Sequence, residues 1–459
     1  MHPLLAADLA RLPDLLAATQ KHAAGAMEAS LAGPVLPQAP PPLPSELPQE
    51  GSGFEGALAE FAAVWQPGFS AGAGPRYLGF VTGGSTPAAL AADWLTSTFD
   101  LNAMSSLDGA GQYLERETVG WLRELFGLGE DQQGALVSGA TMSNATGLAV
   151  AREWLGERLG VSVSQAGVRA LGDVRVLSGS AHSSIAKGLS VLGLGRDSLV
   201  PVATLPDREA VDVDALERAL RDSPGPSVVV ANAGTVNTVD FDDLVAIAAL
   251  KDRYDFWLHT DAAFGGFAAL SPRHAHLVQG LGLADSICID LHKWLNVPYD
   301  SAVQFTRRRD LQARVFQNAA AYLGPLGDQP DLVHLTPENS RRLRSLAAWF
   351  TLRAYGRQGH QEIVERCVDC ARTLGHAVDA IPGLRRTAPV RLNVVCFTLA
   401  DHPTAEALAD LAAAVRETVF LTPTVHAGVP ALRAAFSNWR TTEADVRLVA
   451  AALADAMTR

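Results

Sequence analysis

One lysine in this chain has the surroundings of a reacting group. Lys293 sits in Asp290-Leu-His-Lys-Trp-Leu-Asn296, and lysine is scarce: Lys21, Lys187, Lys251 and Lys293 are the four in 459 residues. Most lysines are solvated surface groups. This one follows an apolar β-like run at 286–290 and precedes Trp294-Leu295, a poor place for a freely solvated ammonium. A desolvated lysine has a lowered pKa and becomes a nucleophilic amine, the property that Schiff-base lysines use.

Such a lysine needs partners, and four stretches offer them. Asp261, in Leu258-His-Thr-Asp-Ala-Ala-Phe-Gly-Gly266, ends an apolar run 32 residues before Lys293, enough chain for one strand-to-strand crossover. Taken alone it is equally a helix N-cap. A buried carboxylate needs a partner, however, and a protonated pyridine nitrogen is one; the small Ala262 and Ala263 leave room for a flat ring. Val137-Ser-Gly-Ala-Thr-Met-Ser-Asn144 joins a strand to a helix, where small residues free backbone N–H groups for an anion and Thr141 and Ser143 add hydroxyls. The P-loop pattern is absent. His182, in Ser178-Gly-Ser-Ala-His-Ser-Ser184, is either a structural hydrogen-bonder or an imidazole that stacks on a ring and relays a proton. In Asn232-Ala-Gly-Thr-Val-Asn-Thr238, Thr235 and Asn237 either line the same crevice or close a turn. Lysine, carboxylate, anion cradle and histidine are together the groups that hold pyridoxal 5'-phosphate, so that cofactor is expected and no metal is.

These groups need a scaffold that brings strand ends together. Apolar runs at 134–138, 174–178, 199–202, 227–232, 256–260, 286–290 and 302–305 alternate with helical patterns such as 143–159, 213–221 and 243–253. That alternation implies a mainly parallel sheet covered on both faces, with ligands at the carboxyl ends of its strands. Upstream lie Ala/Leu-rich helices at 3–30, a proline-rich connector from Pro34 to Pro48, a short helix at 54–65, a glycine-rich loop at 74–87, and helices at 87–104 and 109–127. Downstream, a sparsely patterned loop at 323–339 precedes helices at 340–356 and 358–379. A smaller α/β unit closes the chain, with strands at 391–399 and 431–436 and helices at 404–418 and 443–457. The division is an N-terminal segment 1–85, a large domain 86–338 and a small C-terminal domain 339–459.

Composition bounds the function. Net charge is -12, with 37 basic and 49 acidic residues, which argues against nucleic acid or an anionic membrane as partner. Apolar content of 48% fits a globular protein, and no apolar run reaches the roughly 18 residues of a membrane span. The four cysteines make no disulfide framework, and Cys367-Val-Asp-Cys370 is a lone pair without a second. The first residues lack a basic n-region and Asp8 interrupts their apolar stretch, so a cytoplasmic protein is expected.

The order Ser-Gly-Ala-Thr141, Ala181-His-Ser-Ser184, Asp261-Ala-Ala263 and His292-Lys-Trp294, with Asn438-Trp-Arg-Thr-Thr-Glu-Ala-Asp445 near the end, resembles the group II pyridoxal-phosphate-dependent amino acid decarboxylases from about residue 50 onward. The resemblance implies the α/β architecture called fold type I, with a large seven-stranded domain and a small C-terminal one. It also implies a homodimer with active sites at the subunit interface and the N-terminal segment packed over the partner. Lys293 would carry the cofactor covalently, Asp261 would pair with its ring nitrogen, and His182 would stack on the ring. Ala140, Thr141 and Asp290 would stand near the phosphate, Asp290 needing a local donor such as the His292 region; Thr235 and Ala263 complete the cofactor's expected neighbours. The loop 77–85 would face the substrate, through Tyr77, Phe80, Thr82 and Gly83. Trp65, Tyr77, Phe80, Phe99 and Leu101 are either an apolar substrate pocket or core packing, and the nearest cations for an acidic substrate are Arg76 and Arg433.

One departure bears on the reaction. In the aromatic decarboxylases a mobile loop before an Arg-Arg-x-Arg-Ser-Leu helix carries a tyrosine that protonates the carbanion carbon. Here Arg341-Arg-Leu-Arg-Ser-Leu346 is present, but the loop before it has no tyrosine; His334 and Asn339 are its polar candidates, with His334 also on the substrate side, and Tyr322 lies upstream. The expected reaction is decarboxylation of an L-amino acid, aromatic or otherwise apolar, to the amine and CO2. Aldehyde synthesis, transamination and aldol cleavage are alternatives, as is a cofactor-binding relative without turnover.

Overall fold

The computed structural model describes residues 1–37, 43, 46–318, 326–327 and 329–458. Part of the proline-rich connector, Tyr322 and part of the 323–339 loop therefore lie outside the described residues. All seven apolar runs are strands of a single sheet: β1 (Gln133–Val137), β2 (Val176–Ser178), β3 (Leu199–Pro201), β4 (Ser227–Asn232), β5 (Phe256–Asp261), β6 (Ser286–Ile289) and β7 (Ala302–Thr306). Their order is β1-β7-β6-β5-β4-β2-β3. Every neighbouring pair from β6 to β3 is parallel, while β7 runs antiparallel to both β6 and β1. Every residue of β4, β5, β6 and β7 is buried, which explains runs of Val, Ile, Leu and Phe without alternation.

The helix Ala140–Arg158 crosses the face of this sheet and is buried along most of its length. Gly147 permits the approach: a Cβ there would stand 2.7 Å from the His259 ring on β5. The outer edge of β1 is also covered. Leu136 N–H donates to Glu115 Oε1 at 3.0 Å, and Leu136 C=O accepts from Arg341 Nη2 at 2.5 Å. Arg341 and Glu115 form a buried ion pair at 3.1 Å, so an edge strand that leads straight into the 138–142 turn has its polar groups satisfied.

The small unit is a four-stranded antiparallel sheet in the order β10-β11-β9-β8, made of β8 (Leu384–Arg386), β9 (Val394–Leu399), β10 (Thr422–His426) and β11 (Val429–Ala435), backed by helices Ala405–Val415 and Glu443–Met457. β8 and β10 escape a search for apolar runs. The first is three residues with two arginines, and the second is a half-exposed edge strand containing Pro423. The two helices expected at 340–379 are one element, Ser345–Ala380, broken at Gly356 with φ 61° and ψ -173°. Its first half packs on helices Pro87–Phe99 and Gly111–Leu125 and its second on the small sheet, so it joins the two units.

Replacing Arg341 by Met leaves Glu115 buried without its cation and is expected to cost about 3–5 kcal/mol in urea unfolding. Adding Glu115→Leu should bring the total below the sum of the single changes.

Candidate active site

The polar stretches singled out in the sequence meet at the carboxyl ends of β1, β2, β4, β5 and β6. They enclose a cavity of about 360 Å³ whose lining includes Ala140, Thr141, His182, Thr235, Asp261, Ala263, Asp290, His292 and Lys293, with Phe80 and Arg433 at its sides. A second cavity of about 540 Å³ shares Phe80 and His292 with it and is lined further by Tyr77, Thr82 and Tyr299.

Lys293 lies in the short helical turn Leu291–Trp294 just after β6. Trp294 and Leu295 are buried and pin the turn to the core. The lysine Nζ is 3.6 Å from Asp290 Oδ2 and 5.5 Å from the centre of the Phe264 ring. Asp290 is almost fully buried. It accepts Ala140 N–H at 3.2 Å, and its other oxygen is 3.1 Å from His292 Nε2. Ser301 N–H donates to His292 Nδ1 at 3.4 Å, which leaves the ring proton on Nε2, facing Asp290. Asp290 thus ties the lysine turn to the first residue of the Ala140–Arg158 helix.

Asp261 closes β5 in a nearly dry setting. Its Oδ2 accepts Asn144 Nδ2–H at 2.9 Å and its Oδ1 accepts Ala263 N–H at 3.2 Å. His182 is the N-cap of helix Ser183–Val191; Ser184 N–H donates to its Nδ1 at 3.2 Å. Desolvation on its protein-facing side lowers the imidazole's pKa, with Asp261 partly opposing, while the rest of the ring is exposed. Thr235 does both things its position allows. It lines the cavity, but its hydroxyl donates to Glu209 Oε2 at 2.5 Å and closes the turn. Asn237 bonds Glu209 and the Val425 carbonyl and is outside the lining.

Two of the expected substrate residues sit differently. Gly83 lines neither cavity. Its N–H donates to the His292 carbonyl at 3.4 Å, and a Cβ on it would fall 1.9 Å from the Lys293 carbonyl oxygen. The residue therefore lets the loop lie against the lysine turn, and Asn296 Nδ2 clasps the arrangement by donating to Gly83 O at 2.6 Å and Ser437 O at 2.8 Å. His334 is also away from both linings of this chain: it is buried, and its Nδ1 accepts Asn318 N–H at 3.1 Å. Asn339 bonds the Asn318 side chain. Trp65 and Phe99 are exposed, and Leu101 packs on the core.

Sequence reading passed over Asn144, Ser184, His259 and Tyr299. A signal for His259 existed, since His259 and Asp261 alternate on one face of a fully apolar strand and both need partners. Asn144 and Tyr299 carried none. The Tyr299 ring lies 4.3 Å from the His292 ring, tilted by 40°, with most of its surface exposed.

Residues 37–400 match the family model described as the pyridoxal-dependent decarboxylase conserved domain. The chain is 28% identical over 332 residues to an aromatic-L-amino-acid decarboxylase of Bacillus atrophaeus, covering 70% of this chain and 67% of the relative. It is 31% identical over 364 residues to an L-2,4-diaminobutyrate decarboxylase of Rhizobium meliloti (strain 1021), covering 76% and 70%. The crystal structure of Oryza sativa TDC with PLP and tryptamine superposes with a TM-score of 0.91 over 100% of this chain and 99% of that one, at 23% identity, and so shares the fold.

Gly83→Ala is expected to push the lysine turn aside and to cost about 1–3 kcal/mol, read from the denaturant midpoint. A second expectation concerns pH. Burial lowers His259 from 6.5 to about 4. Between those values the unfolded chain binds more protons, so stability falls as pH drops through that window. His360, also pushed to about 4, adds the same sign. Asp242, raised by burial from 3.8 to about 6, acts oppositely, because acid relieves its penalty. Unfolding free energies measured from about pH 6.5 down to about pH 4 should therefore show a shallower decline in His259→Gln than in the unaltered protein.

Proposed function

The chain belongs to the pyridoxal-dependent decarboxylase family, and from that premise we propose that it converts an L-amino acid with an aromatic or otherwise apolar side chain to the amine and CO2. The observation that carries this reading is the convergence of Lys293, Asp261, His182 and the 138–142 turn on one cavity that also holds a buried cation, Arg433. Those residues suit pyridoxal phosphate. Lys293 offers an amine at the cavity wall. The Asp261 carboxylate, braced by Asn144 and Ala263, is an acceptor for a protonated ring nitrogen. The turn before a 19-residue helix presents backbone N–H groups to a phosphate. When bound, the cofactor supplies an aldehyde for amines and a ring that takes up the electron pair left by departing CO2.

The chain's own groups do the rest. Arg433 is 6% exposed; its Nη1 donates to the Val236 carbonyl at 2.8 Å, while its Nε has no partner among the described residues. Burial pushes its guanidinium below the ordinary value, yet arginine stays charged. A buried cation lining the cavity holds the substrate carboxylate. His182 turns its Nε2–H to the cavity and handles a proton there. Tyr77, Phe80 and Tyr299 give the second cavity an aromatic wall. No carboxylate lines that cavity among the described residues, which favours an aromatic substrate over a diamino acid.

The protein acts as a homodimer. Helix Pro3–Ala10 buries no residue and Leu12–Ala32 buries only Leu15, while Leu5, Leu9, Leu12 and Leu16 are exposed; helices this bare are stabilised by burial against a partner. A cytoplasmic location fits four cysteines that are all free and buried. Among the described residues no helix is long and apolar enough to cross a membrane.

Borohydride reduction of the holoenzyme should trap the cofactor on Lys293, and Lys293→Ala should abolish both the adduct and turnover; an adduct on another lysine would overturn the assignment. With a panel of amino acids, CO2 and amine should appear in equal amounts, fastest with aromatic substrates. Aldehyde with ammonia in place of amine would instead identify aldehyde synthesis, the fate that the tyrosine-free loop leaves open. Arg433→Met should raise KM by about tenfold or more through the lost charge-assisted hydrogen bonds.

A further inference from the structure

Behind Asp261 and His182 runs a continuous hydrogen-bonded network with Asn144 at its centre. Asn144 Nδ2 lies 2.9 Å from Asp261 Oδ2 and 3.0 Å from Ser184 Oγ, and its Oδ1 lies 2.9 Å from His259 Nε2. His259 Nδ1 is 2.8 Å from Ser286 Oγ, which accepts from Trp257 Nε1–H at 2.9 Å. On the other side, Ser184 Oγ is 2.8 Å from His182 Nδ1. Asn144, His259 and Ser286 are fully buried, so water cannot replace a mismatched link.

The direction of every link follows from two groups that have no choice. The Asp261 carboxylate only accepts, so Asn144 must turn its amide nitrogen towards it and its oxygen towards His259. His259 Nε2 must then carry the proton. A neutral imidazole has one, so Nδ1 is bare and receives the Ser286 hydroxyl proton, leaving a Ser286 lone pair for the indole N–H of Trp257, which can only donate. The second amide hydrogen of Asn144 goes to Ser184 Oγ. The Ser184 hydroxyl proton therefore goes to His182 Nδ1, in agreement with the Ser184 backbone N–H aimed at the same atom. Reversing a link among Asp261, Asn144, His259 and Ser286 sets two donors or two lone pairs face to face in a dry interior, at the cost of an unsatisfied buried group; at His182, which is exposed, the direction is reinforced by the Ser184 backbone N–H. Burial keeps His259 neutral at working pH, which preserves the single direction.

We propose that Asn144 is a positioning residue for both sides of the active site, with its amide locked by His259: it holds Asp261 as a pure acceptor and His182 as the Nε2–H tautomer, a donor towards the cavity. The inference rests on the reading of Asp261 and His182 as the groups that face cofactor and substrate. Its consequence is coupling. One side-chain amide braces the carboxylate at the ring-nitrogen end and, through Ser184, the imidazole at the proton-handling end, where the Ser184 backbone N–H reinforces the same polarity.

The test uses the full-length holoenzyme labelled with 15N-histidine. Two-bond 1H–15N correlation spectra should show both His182 and His259 as Nε2–H tautomers. Asn144→Leu should shift His182 part of the way towards the Nδ1–H tautomer, the Ser184 backbone N–H still opposing it, and weaken cofactor binding by about tenfold or more, the scale of a lost hydrogen bond to a charged group. His259→Phe should weaken cofactor binding in the same direction, and His259→Gln, whose amide can still donate to Asn144, should restore it. An Nδ1–H tautomer at either histidine of the unaltered protein would overturn the proposal. So would Asn144→Leu with an unchanged His182 spectrum and unchanged cofactor affinity. If the apolar variants do not fold, the spectrum of the unaltered protein decides alone. Both Nε2–H tautomers in a protein that decarboxylates no amino acid would sink the functional reading and leave the network standing.

Discussion

A carboxylate at the end of a buried strand is costly unless donors surround it, and Asp261 is such a group. Its strand is buried on both faces, so its donors must come from the chain immediately above it: Asn144 from the helix and Ala263 from the following turn. That requirement dictates much else. The helix must lie close enough for Asn144 to reach, which needs glycine at 147 against His259. His259, buried to supply the amide with its donor, must in turn find Ser286 on β6. The polar network beneath Asp261 is therefore a consequence of one charge, with each group present because the previous one needed it.

The lysine is positioned by a second, independent arrangement. Its turn is held from below by Trp294 and Leu295 in the core, from one side by Asp290 and the helix start, and from above by the glycine-rich loop lying on its backbone. Asn296, in a left-handed conformation with φ 58°, joins that loop to the segment following β11. The small unit consequently reaches the site twice, through Ser437 and through Arg433. A substrate carboxylate held by Arg433 and an amine presented to Lys293 would lie between the two units, a common place for small-molecule sites.

The two adjoining cavities divide the chemistry. The inner one gathers Lys293, Asp261, Asp290 and His182 at strand ends, where rigidity preserves geometry. The outer one carries Tyr77, Phe80 and Tyr299 and is built largely on loop residues. Membership of a decarboxylase family whose relatives act on aromatic and diamino acids fits that division.

Much of the fold was legible because buried parallel strands must be continuous apolar runs, and all seven appear as such. Lys293, Asp261, His182 and the 138–142 turn were legible because polar residues at the ends of such runs have few structural reasons to be there. What failed to register was of another kind. β8 and β10 are short or half-exposed, so no periodicity marks them. Gly83 looked like a substrate contact because the loop was known only as glycine-rich, whereas its role depends on a carbonyl 210 residues further along the chain. Asn144, Ser184 and His259 belong to three separate segments, and their common purpose exists only once those segments touch. The amino-acid sequence by itself determined the strands of the large sheet and which polar residues stand at their ends, because burial and strand periodicity are local. Tertiary structure alone decided which oxygen faces which proton, because hydrogen-bond direction is set by partners distant in the chain.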